Sequence, residues 1–165
     1  MNSEEADRPA KERHSSEIDA WIKQNSSGLS CEQLLAFFGK AIESTQKRTA
    51  TILSEVTLTA IMDRVLSTSQ KRFPLLSGVQ IRSSGISVAS LMPQAKDLKP
   101  EEIEAAFRFL LIELLTLLGH LTAEVLTETL YQELFKVTAD RTPPEVRPGH
   151  RGLRSVRNSS DRGDA

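Results

Sequence analysis

Five polar side chains recur at three- and four-residue steps in the stretch Pro100–Val137: Glu113, Thr116, His120, Glu124 and Thr127. On a helix that spacing places all five on one face. His120 and Glu124 stand i,i+4, so the carboxylate can hydrogen-bond the imidazole, orient it and raise its pKa. A histidine displayed this way on a solvated face suits phosphoryl acceptance. The plainer reading, a histidine that simply belongs to a polar stripe, is preferred.

In geometry alone the stripe resembles histidine-kinase dimerisation helices. Such a resemblance implies a phosphotransfer-type signalling module using His120. The residues after His120 are Leu-Thr-Ala-Glu, whereas those kinases carry an acidic residue directly after the histidine, and no nucleotide-binding glycine motif follows.

Other candidates carry less chemistry. Cys31 lies near a helix start, where a thiolate is favoured, but any base would come from a distant histidine. It reads as a small, partly buried residue. As the single cysteine of the chain it excludes an internal disulfide framework and a cysteine zinc cluster. The histidines, His14, His120 and His150, form no His-x-x-x-His pair, and two fall in segments read as tails. Glu101, Glu102 and Glu104 match the positive end of a helix macrodipole, and Glu104 with Arg108 is an ordinary surface pair. Ser77-Gly78 and Ser84-Gly85 fit neither a phosphate loop nor a dinucleotide fingerprint. No catalytic set, cofactor or metal is expected.

The elements that must position these groups follow from periodicity. Pro100, Glu101 and Glu102 suit a first helical turn. Ile103, Phe107, Leu110, Leu114 and Leu117 then form one apolar stripe, with Leu111, Leu115 and Leu118 beside it. A helix so apolar needs neighbours on more than one side. One neighbour is the Cys31–Lys71 region, and a second copy of the chain is the other. Past Gly119 the apolar line shifts to Leu126, Leu130, Leu134 and Val137. One continuous or gently kinked helix through the Gly119-His120 pair is preferred over a helical hairpin.

Upstream, Ser30 with Gln33 is a capping-box pattern. The spacing Leu34, Phe38, Ile42, Thr45, Thr49, Ile52, Val56, Ala60 then predicts helix, as one piece or broken near Lys47–Thr51. A short helix starts at Ser16 and ends at Asn25–Gly28, with Trp21 as its docking anchor. Phe73-Pro74 closes the second helical region. Val79 and Ile81, then Ile86 and Val88, alternate with polar residues around Ser83-Ser84-Gly85, which predicts a β-hairpin near 78–90.

The predicted fold is thus mainly α. It is a long-helix bundle with one small hairpin, completed by homodimerisation. The domain spans 16–138, between a disordered tail over 1–15 and a disordered Arg-rich tail over 139–165. Six arginines against Glu145, Asp161 and Asp164 make residues 141–165 net positive. They lack aromatics for base stacking, so a solubilising tail is preferred to a nucleic-acid arm. A net charge of −1 and a pI near 6.3 argue against a chain built as a whole for nucleic acid or anionic membrane. The charged start has no signal-peptide core. The longest apolar run, Phe109–Leu118, is interrupted by Glu113 and too short to span a bilayer. These features predict a cytoplasmic, non-enzymatic regulatory or scaffold protein that acts by protein–protein interaction, in signal transduction.

Overall fold

The computed structural model describes residues 3–82 and 85–139. Helices α1 (Ser3–Ser26), α2 (Cys31–Ala50) and α3 (Glu55–Arg72) come first. Strands β1 (Gln80–Arg82) and β2 (Gly85–Ser87) follow, then α4 (Pro100–Leu121) and α5 (Thr127–Phe135). Short 3-10 turns at Pro74–Gly78 and Ala89–Asp97 flank the hairpin. The mainly helical fold with one small antiparallel hairpin is as expected. The C-terminal tail from residue 140 onward lies outside the described residues.

Helix α4 is the spine. Ile103, Ala106, Phe107, Leu110, Leu114 and Leu118 are each fully buried, and the neighbours come from this chain. On α2, Phe38 stacks on Phe107 with ring centroids 5.2 Å apart. The end of α3 places Arg72 over the Phe109 ring and Phe73 beside it. The third neighbour is α1, where Asp19 receives the Arg108 Nε–H at 2.5 Å and Ser15 bonds the same guanidinium. A fully buried apolar side chain contributes about 1.5–3 kcal/mol, so three packed sides make α4 the main source of stability.

The third neighbour corrects the sequence expectation. The segment expected to be disordered up to residue 15 is helical from Ser3, and the short helix expected from Ser16 is the second half of α1. Its end at Ser26 is as expected. So is the anchoring role of Trp21, which is buried, stacks on Phe37 at 4.5 Å and donates Nε1–H to the Val137 carbonyl at 3.1 Å.

Ser30 caps α2 with both halves of the box formed: its hydroxyl accepts from the Gln33 backbone N–H, and the Gln33 side-chain Oε1 accepts from the Ser30 N–H. Helices α2 and α3 are separate. The Thr51 hydroxyl donates to the Arg48 carbonyl at 2.7 Å, and the Ser54 hydroxyl accepts from the Thr57 N–H at 3.2 Å. Ser and Thr side chains here serve as stop and start signals. The apolar line read across the break therefore does not continue into the core: Ile52 is 50 % and Val56 81 % exposed. The core face of α3 is Ile61, Met62, Val65, Leu66 and Ser69.

The hairpin pairs Gln80 with Ser87, Ile81 with Ile86 and Arg82 with Gly85. A lone hairpin is marginal, and this one is held by helix amides. Gln46 on α2 accepts the Ile86 N–H at 2.6 Å, while Gln70 on α3 donates to the Leu76 and Val79 carbonyls. Gly85 sits at φ +110°, and a Cβ there would run into the Gln46 amide; only glycine avoids both the strain and the clash.

The second correction concerns the stretch after Gly119. Neither a continuous helix nor a turn at Gly119-His120 is present. Helix α4 runs through both residues, ends at Leu121, and a turn leads into α5. Ala123 and Glu124 take positive φ, 51° and 65°, which terminates the helix. The Glu124 N–H then returns to the Gly119 carbonyl at 2.7 Å. Gly119 allows this because a Cβ would occupy the place of the Glu124 carboxylate. The displaced line Leu126, Leu130 and Leu134 is the buried face of α5, and Leu121 and Val125 are exposed instead.

Candidate functional site

The turn at Thr122–Leu126 divides the polar stripe. Glu113, Thr116 and His120 remain on α4 and line one cleft of about 470 Å³ with Lys11 of α1 and Arg64 and Thr68 of α3. Lys11 and Glu113, both in its lining, form an ion pair at 3.5 Å. His120 is exposed, whereas Thr116 is buried and donates its hydroxyl to the Ile112 carbonyl at 2.7 Å. Val65 and Leu117 provide the apolar wall.

Glu124 and Thr127 lie past the end of α4, with the Glu124 carboxylate folded back beside Gly119. The Thr127 hydroxyl donates to Glu124 Oε1 at 2.7 Å, at the positive end of α5 where a carboxylate is favoured. Helix α4 stops between His120 and Glu124, so the two do not stand at helical i,i+4 spacing. The five residues of the stripe are thus divided between α4 and the turn and helix that follow it.

A larger groove lies on the other side of α3. Leu53, Leu58, Met62, Ile86, Val88 and Met92 line about 720 Å³ between α2, α3 and the hairpin. Glu43, Lys47 and Glu55 also border it, and the Gln46 amide reaches it beside Ser87. An apolar concavity with a few convergent polar groups is the usual form of a binding site. The hairpin creates it by holding its strands against α2 and α3. Its alternation was legible in the sequence, but the groove depends on Gln46 and Gln70, which carry no periodic signal.

A third group escaped the sequence reading. His14 is fully buried, and its Nδ1 stands 2.6 Å from the Tyr131 hydroxyl of α5. Among the described residues its Nε2 is buried with no hydrogen-bond partner. Such an orphan costs about 1–3 kcal/mol. Burial holds the His14 pKa below 6.5; Glu124 pulls it up and Arg13 pushes it down. Burial also lifts the Tyr131 phenol to about 12. The spacing His14, Ile18, Trp21, Ile22 extends the α1 face backwards by one turn, the signal that was available.

Cys31 is partly buried and donates its thiol to the Leu98 carbonyl at 3.1 Å. Burial first, then Glu101 and Glu32, raises its pKa. The helix start does not yield a thiolate, because burial, and after it the two carboxylates, oppose the charge. Among the described residues no group of three or more His, Cys, Asp or Glu side chains gathers to hold a metal ion. No helix among them is long and apolar enough to cross a membrane. Comparison of the chain with protein-family models, with curated proteins and with solved structures finds no match.

Proposed function

We propose that this chain is a non-enzymatic regulatory or scaffold protein, cytoplasmic and acting in signal transduction, whose receiving surface is the groove between α2, α3 and the hairpin. The observation that carries the reading is the groove itself. Its volume falls within the roughly 300–1,000 Å³ of typical ligand sites, and its apolar floor with a charged border fits an apolar side-chain cluster of a partner protein. Its test is capture from native lysate by the full chain and by Leu58→Glu and Val88→Glu. Both positions are half-buried on the groove wall. Capture lost in these two variants and kept in His120→Ala, with helical circular dichroism unchanged, is the expected result. Equal capture by all of them rejects the groove.

A homodimer remains part of the proposal. Antiparallel packing of α3 on α4 brings the α2–α3 turn and the α4–α5 turn to one end of the bundle. Ile52, Val56, Leu121 and Val125 are all exposed there. Sedimentation at micromolar concentration checks it; a clean monomer removes the dimer and leaves the groove reading standing.

The second reading is a phospho-accepting His120. What favours it is the placement of Lys11 and Arg64 in the same cleft, two cations that suit a phosphoryl group. Acid-labile phosphate incorporation that disappears in His120→Ala supports it, and absence of labelling with a kinase-active partner removes it.

A further inference from the structure

The contact between α1 and α5 is carried by a few side chains, and most of them are charged or titratable. His14 meets the Tyr131 hydroxyl at 2.6 Å, with the two rings edge to face. Arg13 lies over the Tyr131 ring and pairs with Glu128 at 3.5 Å. Two turns further along α1, Trp21 reaches the Val137 carbonyl just past α5. The turn that leads into α5 holds Ala123 and Glu124 in the left-handed region, a conformation that persists only when its surroundings enforce it.

We propose that His14 is a proton-operated latch: neutral, it docks α5 and the preceding turn onto α1, and protonated, it releases them.

The argument is hydrogen-bond accounting in a buried place. A neutral imidazole has one N–H and one lone pair. In one tautomer Nδ1 accepts the Tyr131 proton and the Nε2–H has no acceptor among the described residues. In the other, Nδ1–H donates to the Tyr131 oxygen and the Nε2 lone pair is idle. A proton taken from solvent gives the ring two N–H groups. The Nδ1–H then requires the Tyr131 oxygen as acceptor, Tyr131 keeps its own proton and must redirect it, and the Nε2–H stays unpartnered. A cation has replaced a neutral ring in a fully buried site with no new hydrogen bond to offset it.

The groups that face this site act in opposite senses. Arg13 on α1 opposes the charge, and Glu124 in the turn favours it. Glu17 on α1 and Glu128 on α5 act on Tyr131 in the same direction as Glu124. Burial outweighs the carboxylate, so the folded pKa of His14 lies below 6.5. The sign follows: docking is fully supported above about pH 6.5 and weakens as pH falls from there towards the folded value. Each unit of that depression is a factor of about ten in the docking equilibrium.

The chain's single tryptophan sits on this contact and reports on it. The test follows Trp21 emission and amide hydrogen exchange of the full chain between about pH 7.5 and about pH 5, the range in which histidine changes charge. In the wild type, α5 and the first half of α1 are expected to lose protection about tenfold or more, after correction for the intrinsic pH effect. Trp21 emission shifts to the red with the same midpoint below pH 6.5, and both changes reverse. His14→Phe is expected to hold both signals through the range, while His120→Asn follows the wild type. If His14→Phe fails to fold at neutral pH, the His14 ring resonances in the wild type decide: their titration must coincide with the loss of protection. Unchanged protection in the wild type overturns the latch. So does an acid release that persists in His14→Phe, or a ring titration displaced from the release.

Discussion

The two sides of the bundle are held by different chemistry. On the hairpin side the polar contacts to α2 and α3 are neutral and come from amides, Gln46 to Ile86 and Gln70 to Leu76 and Val79. On the α1 side nearly every polar contact involves a charged or titratable group: Asp19 with Arg108, Lys11 with Glu113, Arg13 with Glu128, His14 with Tyr131. Amide bonds to backbone are insensitive to pH and little affected by salt. Ion pairs and a buried histidine respond to both. One face is built to keep its shape, and the other is built from groups whose state changes with the medium.

The largest expected effect tests what the two sides share. Phe107→Ala removes the ring that stacks on Phe38 at the centre of α4, at a cost of about 3–5 kcal/mol. Urea unfolding with Trp21 emission is expected to show both sides lost in one transition. Two separate transitions would mean that α4 does not couple them.

Gly85→Ala strikes the hairpin side alone. A Cβ at φ +110° collides with the Gln46 amide, and a strained backbone of this kind costs about 1–3 kcal/mol. Hydrogen exchange at Ile86 is expected to accelerate while the amides of α1 keep their protection.

Alkaline titration addresses only the α1 side. Tyr131 ionises near 12 in the fold against 10 unfolded. The protonated phenol is the form the fold prefers, so its contribution is whole below pH 10 and is lost as pH rises from 10 to about 12. Tyr131 is the only tyrosine in the chain, so tyrosinate absorbance follows it directly. A midpoint at 10 would show that the phenol is not buried against α1.

The smallest effect is Lys11→Ala. An exposed ion pair is worth about 0–1 kcal/mol, and the wild type at about 1 M salt, where the screening length is about 3 Å, should match the variant. A larger loss would mean that the cleft under His120 depends on Lys11 for more than its charge.

Much of the framework was legible in the chain because it rests on local rules. The Ser30–Gln33 box, the Phe73-Pro74 stop, the hairpin alternation around Gly85 and the Pro100 helix start each depend on neighbours a few residues away, and each formed as read. What stayed open or was misread falls where a local signal admitted two outcomes. Thr49, Ile52, Val56 and Ala60 keep a helical period, but the Thr51 and Ser54 hydroxyls end one helix and start the next. Gly119 reads as a bend in a helix. It permits instead a return of the Glu124 side chain five residues later, which no spacing rule anticipates.

The candidate sites were less legible for the same physical reason. Glu113, Thr116 and His120 share a face because α4 is continuous there; Glu124 and Thr127 left it when Ala123 took a left-handed conformation. His14 passed for part of a charged tail because its partner, Tyr131, lies 117 positions away in the chain.

By itself the sequence determined the helical class, the hairpin, most of the caps, and an apolar α4 that must be covered on several sides. Those properties follow from periodicity and side-chain chemistry within a turn or two. Only the tertiary structure decided what covers α4, where the groove opens, and which histidine is buried. Covering α4 from within the chain needs α1, whose docking rests on contacts from Asp19 to Arg108 and from His14 to Tyr131. Contacts over such separations depend on how whole helices pack, and burial turns an ordinary histidine into one with an orphaned nitrogen.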